Sequence, residues 1–563
     1  MRILLIYPYF LEERIHAEEV SVPPMGIFYV GAMLKAHGYP VEILNWHAVH
    51  KTEHLIEETL KKVQPDIIGF SILHANRWGG IDIARKAKTL NPKVKIVFGG
   101  IGATFLWRHL MTHFKEIDFI VLGEGEITFL DLVKIIENGD NLNIKKIKGL
   151  VFRQGELLEH TEPGPQLTDL DQLPMPARYF TYNHVAFTRG CPGNCTFCGS
   201  PLFWGHRVRS HSPGYFVDQL ERLHQKGVNH FFFSDDTFTY RKDAVIEICR
   251  DIIKRKLNIT WVAISRVNHI SREVLVWMRR AGCTQISFGV ESGSEAIRKT
   301  LNKKINTKQV KKAFRLTQQH GIMARAYFIY GSPGETDKTI QATMVLVHAL
   351  KPLSTIFYIL DLFPGTQLYI ELMERLGLTD DIWLERVEDI LYFEKDPLLT
   401  REMILSWGKH LREDFYRHLP AFVDNLELIQ DPGFNRLHAD FYSRLAMTFS
   451  HGDYARPEAI DGPLSTAEAL YKKALQYHVD HRAFMGLGML YQHQHKIEDS
   501  KKIIEQGLAE FPDSFDLILC RAVNHMNSGD FQTALELLQP HEDQPEARTY
   551  LEYCYEALDL SED

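Results

Sequence analysis

The sequence has few cysteines and no long apolar run. Seven cysteines in 563 residues form a sparse, odd-numbered set, which argues against a secreted domain stapled by disulfides. No stretch approaches the roughly 20 apolar residues that cross a bilayer, so no transmembrane segment is expected. The apolar start at Ile3–Tyr7 stops at Pro8 without a small-residue cleavage site, which predicts a buried strand and not a signal peptide. We therefore expect a cytoplasmic protein.

The sequence also lacks an excess of positive charge. Its 64 basic and 72 acidic residues give a net charge of −8, so no overall positive field would attract nucleic acid, and no nucleic-acid partner is expected. A hydrophobic content of 45% and a charged content of 24% are typical of ordinary globular proteins. A chain of this length is too long to fold around a single hydrophobic core, so several domains are predicted.

Three of the cysteines stand close together, at Cys191, Cys195 and Cys198. Because no fourth cysteine is near, this spacing predicts an iron–sulfur cluster with three irons held by thiolate and one left open. Zinc is the alternative, with His206 completing the site. Structural zinc usually takes close cysteine pairs from two knuckles, and this chain has one triplet. The cluster is therefore the favoured interpretation.

The pattern C-x₃-C-x-Φ-C, with Phe197 as its aromatic residue, resembles the signature of the radical S-adenosylmethionine superfamily. The resemblance implies that the open iron of a 4Fe-4S cluster binds S-adenosylmethionine, with Phe197 among its contacts. It also implies that one electron, delivered by an electron donor protein, cleaves the sulfonium to methionine and a 5′-deoxyadenosyl radical.

The first 140 residues alternate short apolar runs with amphipathic stretches, which predicts an α/β sheet with parallel strands. Ligands of such sheets bind at the carboxyl ends of the strands. Two loops are notable there, Ser71-Ile72-Leu73 and Gly99-Gly100-Ile101-Gly102-Ala103-Thr104. A glycine-rich loop alone is a weak signal, because a tight turn into a helix has the same composition. The strands are predicted at Ile3–Ile6, Val41–Leu44, Ile67–Ile72, Lys95–Phe98 and Phe119–Leu122.

These two loops, together with Gly123-Glu124-Gly125-Glu126 and the cysteines downstream, resemble the Rossmann-like cobalamin-binding domain of cobalamin-dependent radical enzymes. The resemblance implies that the cobalamin tail lies between the loops. One motif is missing, because residues 7–26 lack the Asp-x-His-x-x-Gly pattern and contain only His16. The ligand on the lower face of cobalt stays open, with His74, Asn76 and Arg77 in the appropriate loop. The implied cobalamin contacts are Ser71, Leu73, Gly99, Gly100, Thr104, Gly123 and Glu124.

Residues 141–182 are rich in proline and glycine and are predicted to be a linker. Residues 183–395 repeat six strand–helix units, which predicts a partial (βα)6 TIM-type barrel with its active site at the carboxyl ends of the strands. Polar groups follow those strands and resemble the substrate motifs of the superfamily. By that resemblance Asp235 or Asp236 holds the amino group of S-adenosylmethionine, Arg266 the carboxylate, Glu291 the ribose and the Gly331 loop the adenine. By the same resemblance, the second substrate would be faced by Phe357-Tyr358 and by Asp361-Leu362-Phe363-Pro364-Gly365-Thr366 on the sixth strand.

Residues 396–563 lack strand signals and are predicted to be helical. From about residue 465 the chain matches itself at a shift of 34, which pairs Gly488 with Ala522, His495 with Gly529 and Ser500 with Ala534. This period resembles tetratricopeptide repeats. Such repeats would bind a peptide or protein partner, and a helical cap over the barrel is an equal alternative.

The resemblances together indicate a methylase- or cyclase-like, cobalamin-binding radical enzyme. The favoured function is C-methylation of an unactivated carbon in a small molecule, natural-product or lipid intermediate. A radical cyclase or rearrangement enzyme is the alternative, and an adaptor with a relict cluster is a third. Methylthiotransferases are disfavoured, because no cysteine precedes Cys191.

Overall fold

The computed structural model describes residues 1–11, 22–52 and 54–559, and His16 lies outside them. No helix in this part of the chain combines the length and apolar character that a membrane crossing requires. The chain forms two compact units, each built from several segments. The first comprises Met1–Ala313, Ala326–Leu346 and Ile356–Lys409, and the second comprises Phe314–Arg325, Val347–Thr355 and His410–Asp563.

The first sheet has seven strands in the order β2-β1-β3-β4-β5-β6-β7. Strands β1 to β5 pair in parallel, while β6 and β7 are antiparallel. The central strands are near-continuous apolar runs because both faces of a parallel sheet are covered. The strands are β1 (Ile3–Tyr7), β2 (Val41–Asn45), β3 (Ile67–Ser71), β4 (Lys95–Gly99), β5 (Phe119–Val121), β6 (Leu150–Gln154) and β7 (Leu157–His160). The helices are α1 (Met25–Ala36), α2 (His54–Val63), α3 (Arg77–Leu90), α4 (Ile101–Phe105), α5 (Trp107–His113) and α6 (Glu126–Asn138).

The hairpin of β6 and β7 lies in the range that sequence composition assigns to a linker. Its turn contains Gly155, which has a φ of 62°, and the side chains of Leu150–Phe152 are buried. The sheet of the first domain therefore extends to His160. Sequence composition did not indicate these two strands because they are short and precede a proline-rich segment.

The second sheet has six strands in the order β15-β14-β13-β12-β11-β8, and its pairs β8–β11, β11–β12 and β12–β13 are parallel. The strand predicted before Cys191 divides in two, since β9 pairs antiparallel with β10 in a separate sheet. The strands are β8 (His184–Val185), β9 (Thr188–Arg189), β10 (Arg209–Ser210), β11 (His230–Phe233), β12 (Thr260–Ser265), β13 (Cys283–Glu291), β14 (Met323–Tyr330) and β15 (Ser354–Ile359). The helices are α7 (Ser200–Trp204), α8 (Pro213–Gln225), α9 (Lys242–Lys254), α10 (Arg272–Arg280), α11 (Glu295–Thr300), α12 (Thr307–Gln319), α13 (Asp337–Leu350) and α14 (Gln367–Leu376).

Within the described residues no strand element follows β15, so the prediction of an α/β chain with a helical C-terminal region is confirmed. Positions that match at a shift of 34 are structurally alike. In the first pair, Gly488 and Ala522 are both buried. In the second, Ser500 and Ala534 are both fully buried. In the third, His495 and Gly529 both have a positive φ, of 57° and 78°. The helices are α15 (Tyr392–Lys395), α16 (Arg401–Asp424), α17 (Asn435–Ser450), α18 (Pro463–Tyr477), α19 (His481–His493), α20 (Ile497–Glu510), α21 (Phe515–Asn527), α22 (Phe531–Leu538) and α23 (Pro545–Ala557).

Candidate active site

The cysteine loop follows β9 and is fixed by the chain after α11. The Thr196 N–H donates to the Leu301 carbonyl at 3.1 Å, and the side-chain amide of Asn302 donates to the Asn194 carbonyl at 2.6 Å. Within the loop, the Gly193 N–H donates to Cys191 Sγ at 3.4 Å. A Cβ on Gly193 would lie 3.3 Å from that sulfur, so this glycine lets the backbone fold tightly around it.

The three cysteines are free thiols, of which Cys191 is buried and Cys195 and Cys198 are half-buried. Burial raises the pKa of Cys198 to about 12, and the nearby Asp236, Cys195 and Cys191 raise it further. A thiol in this setting stays protonated until a cation compensates its charge, as a bound iron does. The donor set therefore fits a metal centre and not a free catalytic thiolate.

The three cysteine sulfurs are not grouped as closely as the ligands of a bound zinc ion. A tetrahedral zinc ion with Zn–S bonds of about 2.3 Å holds its sulfurs about 3.8 Å apart. In the described part of the chain, only two trios of metal-ligating side chains have their ligand atoms within 4.8 Å of one another, and neither contains a cysteine. At least one pair of the cysteine sulfurs therefore lies more than 4.8 Å apart. His206, the alternative fourth ligand, is exposed and belongs to neither trio.

The two aspartates after β11 have different surroundings. Asp235 is 1% exposed, and its carboxylate accepts hydrogen bonds from the Phe187 N–H, the Thr188 N–H and the Thr188 hydroxyl. Burial nevertheless raises its pKa to about 7. Asp236 lines a cavity and accepts a hydrogen bond from Ser200 Oγ at 2.5 Å. Asp235 thus ties β11 to the strand before the cysteines, while Asp236 is available to a ligand.

Arg266 and Glu291 lie next to the cysteine loop. An added Cβ at Gly193 would lie 2.6 Å from Arg266 Nη1, so the guanidinium packs against the loop backbone. Glu291, with a left-handed φ of 67°, pairs with Lys303 Nζ at 2.6 Å. Burial opposes the charge on Lys303, but Glu291 and Cys195 outweigh it and the pKa of this lysine is raised. Sequence reasoning missed Lys303, which stands in the polar run Asn302-Lys303-Lys304.

The Gly331 loop has a left-handed turn at Gly331, with a φ of 78°. Glu335 accepts a hydrogen bond from the Ser332 N–H at 3.0 Å, and burial raises its pKa to about 7. Within the described residues, Ser332 Oγ and Glu335 Oε1 are buried without a hydrogen-bond partner. Such groups usually have a partner, so they mark a place where a polar ligand could bind. Phe197 is half-buried in the cysteine loop.

A cavity of about 360 Å³ opens at the carboxyl ends of the first sheet and reaches the second sheet. Its walls include six of the predicted cobalamin contacts, Ser71, Leu73, Gly99, Gly100, Gly123 and Glu124, and on the other side Thr188, Arg189, Trp204, Ser234 and Asp236. Thr104 is not part of the wall. Its hydroxyl accepts from the Gly123 N–H at 3.0 Å and donates to the Gly100 carbonyl at 2.8 Å, so it joins the two glycine loops.

The glycines of these loops have two separate uses. Added Cβ atoms at Gly100 and Gly102 would lie 2.8 Å from the Ile72 carbonyl oxygen and 2.4 Å from the His74 nitrogen. These two residues therefore let two protein loops approach each other. Gly123 has nothing within 4 Å of an added Cβ, and Gly99 has nothing closer than 3.9 Å. Gly123 therefore leaves open space that a bulky ligand could occupy, which fits cobalamin, whereas an added Cβ at Gly99 would be in ordinary van der Waals contact with the protein.

Glu124 belongs to a buried group of four charges. It pairs with Arg189 at 2.8 Å and also with Arg209, while Glu126 pairs with Arg189 at 2.6 Å. All four side chains are at most 7% exposed. The predicted contact Glu124 thus lines the cavity while tying the first domain to the segment around the cysteines. Sequence reasoning missed both arginines, because nothing local marks their partners.

The loop after β3 is held by protein contacts. His74 Nε2 lies 2.7 Å from Asp361 Oδ2, and the Arg77 guanidinium donates to the carbonyls of His74, Trp383, Glu385 and Glu388. Asn76 Oδ1 accepts from the Leu73 N–H at 2.8 Å. These three candidate cobalt ligands therefore support the loop. The Phe363 ring packs on His74, so the segment predicted to face the second substrate reaches the same loop.

Comparisons with known proteins identify two domains in the chain. Residues 185–347 match the model of the Radical SAM superfamily, and residues 18–133 match the B12 binding domain. An uncharacterized methyltransferase of Pyrococcus horikoshii is 32% identical over 440 residues, which cover 74% of this chain and 95% of that protein. The anaerobic magnesium-protoporphyrin IX monomethyl ester cyclase of Cereibacter sphaeroides is 28% identical over 450 residues, 75% of this chain and 71% of the cyclase.

Among solved structures, the radical S-adenosylmethionine methyltransferase TsrM of Kitasatospora setae, with cobalamin and a [4Fe-4S] cluster bound, matches with a TM-score of 0.59. It has 16% identity and covers 84% of this chain and 99% of its own. The site and the two domain matches define an enzyme that uses a 4Fe-4S cluster, S-adenosylmethionine and cobalamin. The chain belongs to the family of radical S-adenosylmethionine enzymes that carry a B12 binding domain.

Proposed function

We propose that this enzyme transfers a methyl group to an unactivated carbon of a small molecule, natural-product intermediate or lipid intermediate. The observation that carries the proposal is the cavity that joins the glycine loops of the first sheet to Asp236, beside the cysteine loop. When bound, the cluster and S-adenosylmethionine supply a carbon-centred radical and cobalamin supplies the methyl group. The 32% identical relative is named an uncharacterized methyltransferase, which supports the proposal.

The protein's own residues hold and separate these groups. Cys191, Cys195 and Cys198 would hold the cluster. Asp236 would accept the amino group of S-adenosylmethionine, because Asp235 is occupied by the neighbouring strand. The Arg266 guanidinium, packed on the cysteine loop, suits the carboxylate.

Other groups complete the proposed contacts. Glu291 would share its carboxylate between Lys303 and the ribose. Phe197 and the Gly331 loop, with its unpartnered Ser332 hydroxyl, would contact the remaining adenosine. Gly123 would leave room for cobalamin, with Ser71, Leu73, Gly99 and Gly100 beside it.

The second candidate is a radical cyclase that uses the same groups without methyl transfer, as the name of the Cereibacter sphaeroides relative suggests. Product stoichiometry separates the two. Cluster-loaded enzyme, cobalamin, reductant and S-adenosylmethionine with a CD₃ methyl group would be incubated without oxygen with pooled small-molecule and lipid extracts. Methylation gives matched 5′-deoxyadenosine and S-adenosylhomocysteine and a CD₃-labelled product. Deoxyadenosine without label transfer would favour the cyclase, and Cys195→Ala should abolish both products.

We further propose the domain assignments. The first unit would hold a Rossmann-like cobalamin-binding domain and a partial TIM-type barrel, which their strand orders support. The first domain would run from residue 1 to about 160, and the barrel would span residues 183–395. A cytoplasmic location and an electron donor protein complete this proposal.

The helices from Pro463 onward are proposed to be tetratricopeptide-like repeats that bind a protein or peptide partner. Support comes from the left-handed turns at His495 and Gly529 and from a groove lined by Arg436, Val479 and Arg482. Val479 is 41% exposed in that groove, and Met489 is 46% exposed outside its lining. Val479→Glu should weaken binding of that partner while turnover with a chemical reductant stays constant. Met489→Glu should change neither, and loss of turnover in both variants would favour a helical cap.

A further inference from the structure

Two histidines and an aspartate meet at a distance from the cysteine loop, in a part of the first unit that the reaction does not use. His109 and His113 stand one helical turn apart on α5, and Asp381 lies in a short helical turn after α14. His113 Nε2 is 3.2 Å from Asp381 Oδ1, and His109 Nδ1 is 4.0 Å from the same oxygen. Each residue offers one ligand atom, and these three atoms lie within 4.8 Å of one another.

The ring of His109 is buried and does not hydrogen-bond to Asp381. Its side chain is 2% exposed, and its Nε2 is buried without a hydrogen-bond partner in the described part of the chain. A distance of 4.0 Å from Nδ1 to Asp381 is too long for a hydrogen bond. Nδ1 is therefore the His109 atom that would bind an ion placed between the two groups.

We propose that His109, His113 and Asp381 form a zinc-class divalent metal site that fastens the first domain to the segment after the sixth strand of the second sheet. Two imidazoles and one carboxylate are a ligand set that zinc accepts, with water in the fourth position. Tetrahedral bonds of about 2.0–2.1 Å place neighbouring ligand atoms about 3.4 Å apart. The observed separations of 3.2 and 4.0 Å bracket that value.

The two ligand-bearing segments are already held near each other. Trp383, two residues beyond Asp381, is fully buried, its indole N–H donates to Tyr369 Oη at 2.9 Å, and its carbonyl accepts from Arg77 Nε at 3.3 Å. The ring of Trp78 packs edge-on against Phe114, the residue after His113. A metal site needs such support to hold its ligands in place. The ion would therefore stabilise the contact that also carries His74 and Asp361.

The test uses the cluster-loaded full chain, so that the cysteines are occupied by iron. Bound zinc is counted by elemental analysis after equilibrium dialysis, and its ligands are identified by zinc-edge X-ray absorption. We expect one zinc per chain with nitrogen and oxygen ligands only. His113→Asn and Asp381→Asn change partly exposed side chains, and each should weaken zinc binding at least about tenfold. Zinc should raise the unfolding temperature of the parent protein and leave that of both variants unchanged.

The matched control is the second trio, His348, Asp414 and His418, whose histidine side chains are 40% and 38% exposed. His348→Asn should leave zinc content and ligands as they are in the parent protein. Three results would overturn the proposal: sulfur in the zinc shell, loss of the ion in His348→Asn with retention in His113→Asn, or no zinc above background in the cluster-loaded protein.

Discussion

The carboxylate of Glu291 and the ammonium group of Lys303 form a 2.6 Å ion pair in which the two side chains are 7% and 9% exposed. Both lie beside the cysteine loop, since Cys195 contributes to the raised pKa of Lys303. Lys303→Met leaves a buried carboxylate without its cation, which costs about 3–5 kcal/mol. We therefore expect a lower free energy of unfolding in denaturant titrations and weaker binding of S-adenosylmethionine by the cluster-loaded enzyme.

The neighbouring Lys304→Met is the matched control, because Lys304 is exposed, and it should change stability by less than about 0.5 kcal/mol. The double variant Glu291→Gln/Lys303→Met should lose less stability than the two single changes added together, since it leaves no unpaired charge. Strict additivity would show that the pair does not interact.

The two aspartates after β11 should respond differently to the same change. Asp236→Asn removes the charge that faces the cavity, so binding of S-adenosylmethionine by calorimetry should weaken at least about tenfold, as expected for loss of a charge-assisted hydrogen bond. Its unfolding should be nearly unchanged. Asp235→Asn weakens the acceptor of three hydrogen bonds and should cost about 1–3 kcal/mol of stability. If Asp235→Asn impaired binding more than Asp236→Asn did, the assignment of the two residues would have to be exchanged.

The strands could be predicted from the sequence because buried parallel strands are continuous apolar runs, and the cysteine cluster stays a prediction that rests on local spacing. The sequence could not show that Asp235 accepts hydrogen bonds from the N–H groups of Phe187 and Thr188, because that contact is made between distant parts of the chain. The hairpin β6–β7 was missed because its strands have only five and four residues and precede a proline-rich segment.

The sequence also could not predict which charged residues pair with each other. Arg209 meets Glu124 across 85 positions in the chain, and Arg189 meets Glu126 across 63. No periodicity or motif connects residues at such separations. Lys303 is closer to Glu291, at 12 positions, but it stands among ordinary polar residues that resemble a solvated turn. Tertiary packing alone distinguishes it from Lys304.

The buried Glu335 predicts a pH dependence. Burial raises its folded-state pKa from 4.5 to about 7, so between those values the folded protein keeps a proton that the unfolded chain releases. The free energy of unfolding therefore falls as pH rises from about 4.5 to 7, and at pH 8 the whole penalty, at most about 3 kcal/mol, is present. Glu335→Gln removes this group from titration.

We expect Glu335→Gln to be more stable than the parent protein at pH 8 and close to it at pH 5, in denaturant titrations without S-adenosylmethionine. Asp235 also has a pKa raised to about 7, but it is present in both proteins and its contribution cancels in the difference. Glu402→Gln, at an exposed position, serves as the control. An equal effect of Glu335→Gln at both pH values would show that Glu335 is not protonated in the folded state.

The last prediction concerns Glu124, which pairs with Arg189 at 2.8 Å and with Arg209. Glu124→Gln removes the carboxylate that pairs with Arg209 in these contacts, and it leaves Arg189 paired with Glu126 alone. All of these side chains are at most 7% exposed. Removing one partner of a buried pair costs about 3–5 kcal/mol, so the variant should unfold at lower denaturant. Because Glu124 and Arg189 both line the cavity, the Glu124→Gln variant should also retain less cobalamin after gel filtration, as measured by the absorbance of cobalamin.

The control is Glu156→Gln, in the exposed turn of the β6–β7 hairpin, which should retain as much cobalamin as the parent protein. Full cobalamin retention in a destabilised Glu124→Gln would mean that the charge group serves only to join the domains.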